Sequence, residues 1–114
     1  MIIGIEFFPG LAEKSIPIIK LTKSRNGKTG TATFLFIKPS LFETIFFQKK
    51  PCDYILLIST KEKIISNDIT LFFKEGKPFL LKAVFIFKNS KDWFKFLHFM
   101  RDYSKETGLS FLEK

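Results

Sequence analysis

Apolar residues come in short, alternating or near-continuous runs along most of the chain, then change to three- and four-residue spacing near its end. Ile2 to Phe8 is apolar around Glu6 and is closed by Pro9-Gly10, which predicts an opening strand. Ser15 to Thr22 and Thr31 to Phe36 flank Asn26-Gly27, the pair best suited to a two-residue type I′ hairpin turn because both of its central positions need positive φ. Pairing Arg25 with Lys28 then sets Ile19 opposite Phe34 and Leu21 opposite Ala32 on one face. Lys20 meets Thr33 and Thr22 meets Thr31 on the other. A slip of one residue mixes the two faces, so the pattern selects this register.

Three further runs, Tyr54 to Ser59, Ile64 to Phe73 and Phe79 to Phe87, are separated by the charged breaks Thr60-Lys61-Glu62-Lys63 and Lys74-Glu75-Gly76-Lys77-Pro78. Breaks of that length predict an antiparallel meander. The stretch from Lys38 to Pro51 is ambiguous: Ser40-Leu41-Phe42-Glu43 resembles a helix-capping pattern, while Ile45-Phe46-Phe47 before Lys49-Lys50-Pro51 suits a loop with an apolar plug. After Asn89-Ser90 the spacing changes. Trp93, Phe96, Leu97, Met100 and Tyr103 mark one face of an amphipathic helix over 91–107, with Phe94 and Phe99 toward its flanks and Gly108 at the left-handed stop. Leu109 to Leu112 follows as a short edge strand or a frayed tail.

These elements define an α+β fold: a mostly antiparallel sheet of about five to six strands with one long C-terminal helix packed on a face. At 114 residues the expectation is a single domain over 1–114. It comprises an opening strand 2–8, a hairpin 16–36, a variable loop 38–51, a meander 54–87, the helix 91–107 and a short strand or tail 109–114.

Composition adds a dense aromatic core, since the chain has sixteen Phe and is 46% hydrophobic. No run approaches the roughly eighteen apolar residues of a membrane-spanning helix. The opening residues read as a strand, not as a signal or transit segment, so the protein is expected to act where it is made. The net charge is +8, but Lys, Asn, Ile and Phe are residues of A/T-rich codons and coding bias accounts for part of it. Location is more telling: between Lys14 and Phe42 six bases occur without an acid. Such a cluster attracts an acidic partner or lipid headgroups, and it is equally an ordinary solvated face.

Residues suited to chemistry are few. Cys52 and His98 are the only cysteine and histidine, a poor inventory for a metal site, and one cysteine fits a reducing compartment. No metal or other cofactor is expected. Gly27-Lys28-Thr29 imitates the end of a phosphate-binding loop, but Thr22 stands at the first-glycine position and a strand, not a helix, follows. His98 falls mid-helix without a nucleophile elbow, and the carboxylates gather in turns and helix ends. Aromatic stacking on RNA requires a different strand and helix order. The residues therefore specify a binding surface and no reaction.

The stretch Pro17-Ile18-Ile19-Lys20-Leu21-Thr22-Lys23-Ser24-Arg25-Asn26-Gly27-Lys28-Thr29-Gly30-Thr31-Ala32-Thr33-Phe34 resembles the signature of the thirteen-kilodalton photosystem II assembly family, Psb28. A second match runs from Asp92-Trp93 through Phe96, Phe99-Met100 and Tyr103 to Gly108-Leu109, and Ile3 to Phe8 and Gly76 to Lys88 are also similar. The resemblance covers the whole chain. The sequence departs from that pattern where Lys20 and Lys23 replace the commoner Arg, and where Leu41 to Lys50 is aromatic and basic instead of short and polar.

This resemblance implies a non-enzymatic, cofactor-free assembly factor, peripheral to the thylakoid membrane on its cytoplasmic or stromal side. Its implied partners are photosystem II assembly intermediates, including the forty-seven-kilodalton core antenna and reaction-centre core subunits, and not nucleic acid or metal. An organellar or cyanobacterial gene also suits the codon bias. The candidate partner-binding residues are Lys20, Thr22, Lys23, Arg25, Lys28, Thr31 and Thr33, with a strand edge pairing to a partner peptide while the bases steer the approach. The competing class is a small basic nucleic-acid-binding module using the same patch.

Overall fold

The computed structural model describes residues 3–49, 52–109 and 112–113. Expectations for Ile2, Lys50-Pro51, Ser110-Phe111 and Lys114 lie outside the described residues. Nine strands, a 3-10 turn and two helices follow in the order β1 (Ile3–Phe8), β2 (Leu11–Ala12), β3 (Ile18–Lys23), β4 (Gly30–Ile37), the turn Ser40–Glu43, α1 (Ile45–Lys49), β5 (Ile55–Ser59), β6 (Lys63–Ser66), β7 (Asp68–Lys74), β8 (Lys77–Phe87), α2 (Ser90–Thr107) and β9 (Leu112–Glu113). The α+β class is as expected, with more strands and two sheets in place of one.

The smaller sheet has the order β2-β1-β5-β6 and the larger β7-β8-β4-β3-β9. All pairings are antiparallel except β3 with β9. The run Ile64 to Phe73, expected as one strand, is two: Ile64–Ser66 belongs to β6 and pairs with β5, whereas Asp68–Phe73 belongs to β7 and pairs with β8. The chain changes sheets at Asn67. Here the Ser66 hydroxyl donates to the Val84 carbonyl and Asn67 Nδ2 donates to the Asp53 carbonyl at 3.3 Å. These bonds satisfy backbone acceptors that the broken ladder would leave open.

The hairpin keeps the predicted register, with Ile19 opposite Phe34, Lys20 opposite Thr33, Leu21 opposite Ala32 and Thr22 opposite Thr31. Its turn differs. Asn26 does not take positive φ; Gly27 does, at 69°, and the Gly27 amide donates to the Ser24 carbonyl at 3.0 Å. Asn26 Oδ1 accepts from the Lys28 amide at 2.9 Å and from the Ser24 hydroxyl at 2.6 Å. The side chain thus closes a longer loop that needs only one left-handed residue. Both turns are centred on Asn26-Gly27, so the register is the same.

Alternation decides what is buried. On β3, β4 and β8 the residues Ile19, Leu21, Ala32, Phe34, Phe36, Leu81, Ala83, Phe85 and Phe87 are buried, and they join Ile5 and Phe7 of β1 and Ile55 and Leu57 of β5 in one cluster. The Phe7 and Phe36 rings meet edge-on across the sheets at 5.1 Å. Helix α2 adds Trp93, Phe96, Phe99, Met100 and Tyr103, with Phe96 lying 4.8 Å from Phe87 and 6.1 Å from Phe34. Phe99, expected at the flank, is fully buried, while Phe94 is 53% exposed. The second sheet widens the core surface that the helix meets. Asn89 caps α2 by accepting from the Asp92 amide at 2.9 Å, and Gly108 ends it at φ 74°.

The ambiguous stretch is helical: Ser40–Glu43 forms the turn that its capping pattern suggested, and Ile45–Lys49 is the short helix α1 and not a loop. Leu41 is buried, and the half-buried rings of Phe42 and Phe47 pack at a tilt of 44° with their centres 4.8 Å apart. The turn is tied down by Glu13. Its carboxylate accepts from the Ser40 amide and hydroxyl at 2.9 and 2.8 Å, from the Leu41 amide at 2.9 Å, and from the amide and hydroxyl of Ser15 at 2.9 and 2.6 Å.

Candidate partner-binding surface

Opposed residues in a ladder share a face, so the larger sheet has an outer face that can be read directly from its registers. Lys20 and Thr33 continue through Val84 to Asp68, and Thr22 and Thr31 continue to Ile86. A third row runs from Ile18 through Leu35 and Lys82 to Thr70. Of the seven candidates, Lys20, Thr22, Thr31 and Thr33 are therefore brought together, the lysine and Thr22 exposed and the other two threonines half-buried. Arg25 and Lys28 are exposed in the loop at the end of this face. Lys23 is not with them. It pairs with Gly30 and alternates to the inner side, beyond the margin of the core, where it is exposed.

Gly30 explains why this end of the hairpin is built as it is. A Cβ at Gly30 would lie 2.6 Å from Cη2 and 2.7 Å from Cζ2 of Trp93, and 2.8 Å from the Thr22 carbonyl oxygen. Only glycine lets the indole pack flat against the strand. The two motifs behind the family resemblance, one in the hairpin and one in the helix, thus meet at this contact as well as through Phe34 and Phe96.

The hairpin's edge is partly filled. β9 pairs in parallel with β3 at Lys20 and Leu21, and at the other side β7 is the edge of the larger sheet. The residues that sequence reasoning missed lie toward that side: Lys82, Val84 and Ile86 on β8, and Phe72 and Phe73 on β7. The β8 residues were legible as an alternating run, but pairing of β4 with β8, more than forty residues apart, has no local signal.

Groups with chemical potential are turned inward or left isolated. Burial pushes the Cys52 thiol up to about 11, which keeps it protonated and a poor nucleophile near neutrality. His98 is half exposed, its Nδ1 3.8 Å from the Asp102 carboxylate one turn along the helix. Burial would raise the Glu13 carboxyl, but the hydrogen bonds from Ser15 and Ser40 outweigh it and hold the group below the ordinary carboxylate range. Among the described residues no group of three or more His, Cys, Asp or Glu is placed to hold a metal. A cavity of about 190 Å³ lies against Phe7, Phe8, Leu11 and Leu41. The surface also has a shallow depression of about 340 Å³ beside Ile64 and Lys95 and an open groove of about 550 Å³ between Lys38, Phe42, Lys74 and Phe79. In the groove the Lys38 and Lys74 ammonium groups lie 5.8 and 5.5 Å from the centre of the Phe79 ring. No described helix is long and apolar enough to cross a membrane.

Such geometry defines a class: a small two-sheet α+β domain that offers a broad sheet face with exposed bases at its hairpin end. The sequence profile of the Psb28 protein family matches residues 5–111. The chain is 37% identical over 107 residues to the "Photosystem II reaction center Psb28 protein" of Pyropia yezoensis, covering 94% of this chain and 93% of that one. It is 39% identical to the protein so named from Guillardia theta, with 94% and 92% covered. To that of Prochlorococcus marinus strain AS9601 it is 36% identical, with 96% and 92% covered. The chain belongs to the Psb28 family.

Proposed function

We propose that this protein is a non-enzymatic accessory factor of photosystem II. It binds assembly intermediates transiently at the thylakoid surface, on the cytoplasmic or stromal side, and the forty-seven-kilodalton core antenna is among the subunits it meets. The names of its relatives support the photosystem II association. The observation that carries the binding mode is the hairpin. Lys20, Arg25 and Lys28 are exposed, and among the described residues none of the three has an ion-pair partner.

Unneutralised bases on one projecting element produce a long-range field that steers an acidic partner and is weakened by salt. Thr22, Thr31 and Thr33 keep the face beside them low and hydroxyl-rich, so that backbone and side-chain polar groups can be approached closely. Once the complex has formed, an open strand edge supports main-chain pairing to an extended partner segment; because β9 occupies the β3 edge at Lys20 and Leu21, the β7 edge of the larger sheet is the better candidate for this role.

The test is to change Lys20, Lys23, Arg25 and Lys28 together to Glu. Loss of retention on photosystem II intermediates, with an unchanged melting temperature, is the expected outcome. Full retention overturns the steering role. Salt-sensitive binding of single-stranded RNA by the wild type, with no capture of photosystem subunits, favours the nucleic-acid reading instead.

A further inference from the structure

Three unfavourable features of the fold meet at the groove between the turn Ser40–Glu43 and the end of the β7–β8 hairpin. The first is a bulge. Phe72 pairs with Leu80 and Phe73 with Pro78, so Phe79 is the extra residue on β8 and has no ladder partner on β7. Its carbonyl accepts from the Lys38 amide at 2.8 Å, and its half-buried ring lines the groove. Bulges of this kind re-aim a side chain beside a functional site. The second feature is backbone strain. Among the described residues the only non-glycine positions at positive φ are Lys38, at 47°, and Glu75, at 53°. Both line this groove, and a side chain in that conformation crowds its own backbone. The third is charge. Lys74 stands directly opposite Lys77 in the ladder, an unfavourable pairing of like charges, and the Lys38 and Lys74 ammonium groups share the Phe79 ring. Glu43 and Glu75 line the same groove, yet among the described residues none of the three lysines forms an ion pair. Strain and uncompensated charge gather at ligand clamps, where the bound molecule supplies what the fold withholds.

We propose that this groove binds a small phosphorylated ring compound of the nucleotide class, with its phosphates on Lys38, Lys74 and Lys77 and its planar ring against Phe42. The site is separate from the hairpin face and does not depend on the photosystem reading. Its volume of about 550 Å³ suits a small molecule. The distribution of charge selects the occupant. A multiply charged phosphate offsets the mutual repulsion of three cations through charge-assisted hydrogen bonds. The Phe79 ring, 5.8 and 5.5 Å from the two ammonium groups, holds them in place before the ligand arrives. Glu43 and Glu75 oppose a continuous anionic polymer or headgroup layer, which would lay negative charge along the whole groove. A compact ligand confines its charge to the lysines and turns an uncharged ring toward Phe42, whose half-buried face offers a stacking surface.

Calorimetric titration of the full chain with ATP, inorganic pyrophosphate and adenosine tests the assignment. ATP is expected to bind saturably, about tenfold or more tighter than either fragment, since the ring and the phosphates each contribute. Lys74→Gln and Lys38→Gly should each weaken ATP binding by about tenfold, the loss of one charge-assisted hydrogen bond. Neither should lower the melting temperature, because the first removes a like-charge pair and the second relieves the left-handed strain. Phe42→Leu should bring ATP down to the affinity of pyrophosphate. Lys105→Gln, on the exposed side of α2, should leave binding unchanged. Failure of the wild type to bind ATP overturns the proposal, as does unchanged binding by both lysine variants. Weakening in step with a lowered melting temperature in both variants also overturns it, since the lysines then act through the fold. Pyrophosphate bound as tightly as ATP reduces the groove to an unspecific anion cluster. A pentapeptide of alternating glutamate and phenylalanine that binds more tightly than ATP, and competes for the same lysines, overturns the assignment in favour of an acidic protein segment.

Discussion

The two faces of β4 and β8 use the same backbone and opposite rules. On the inner face Ala32, Phe34, Phe36, Leu81, Ala83 and Phe85 are all nearly or fully buried, and their rings interlock with α2 and with β1 of the other sheet. One residue along, Thr31, Thr33, Leu35, Lys82 and Val84 are only half-buried, and Ile37 and Ile86 are more than half exposed. A residue inside is constrained by volume and shape, because a close-packed interior has no room to relax. A residue outside is constrained only by what meets the surface. Stability and recognition are thereby separated at every second position.

The sharpest way to break this separation is to remove a ring from the inner face. Phe34→Ala is expected to cost about 3–5 kcal/mol in denaturant unfolding, in contrast with the four charge reversals on the hairpin, which should leave the melting temperature unchanged. An equal effect of the two would refute the division. Gly30→Ala probes where the faces come closest, since its Cβ has no space beneath the indole. It should destabilise the fold by about 1–3 kcal/mol as an overpacked site. In a double-mutant cycle, adding Trp93→Leu should remove the part of this cost that the indole causes and leave the part due to the Thr22 carbonyl oxygen, whereas simple additivity would show that the indole contact is not a cause.

A smaller effect is expected at Glu13, which joins the core's margin to the turn Ser40–Glu43. Its folded pKa is depressed relative to the ordinary value of 4.5. Its contribution is therefore complete above that value and is lost as pH falls through the folded pKa. Glu13→Gln should cost about 1 kcal/mol at neutral pH, allowing for its half-exposure. The unfolding curves of wild type and variant should converge in acid. A constant gap at all pH values would remove the carboxylate from the account.

Local pattern made much of this architecture legible. The hairpin register followed from matching apolar with apolar across Asn26-Gly27, and it survived an error in turn type because both loops share a centre. The helix was framed by Asn89 and Gly108, whose capping roles are chemical and local. What escaped was long-range. Ile64 to Phe73 has no glycine or proline to announce that the chain changes sheets at Asn67, and burial of Phe99 depends on a second sheet that no periodicity shows. The candidate face was half legible: Lys20, Thr22, Thr31 and Thr33 fell where alternation put them, and the same alternation puts Lys23 on the other side, although its charge had grouped it with them. The unpaired Phe79 read as part of an ordinary strand because a bulge is a property of two strands.

The sheet change at Asn67 has a mechanical consequence. Eleven consecutive residues, from Lys63 to Phe73, serve both sheets in turn, so neither can be peeled away without loosening the strand that edges the other. The β7 edge is thus anchored through a strap to the far side of the core. A load applied there by any partner is shared by the whole molecule.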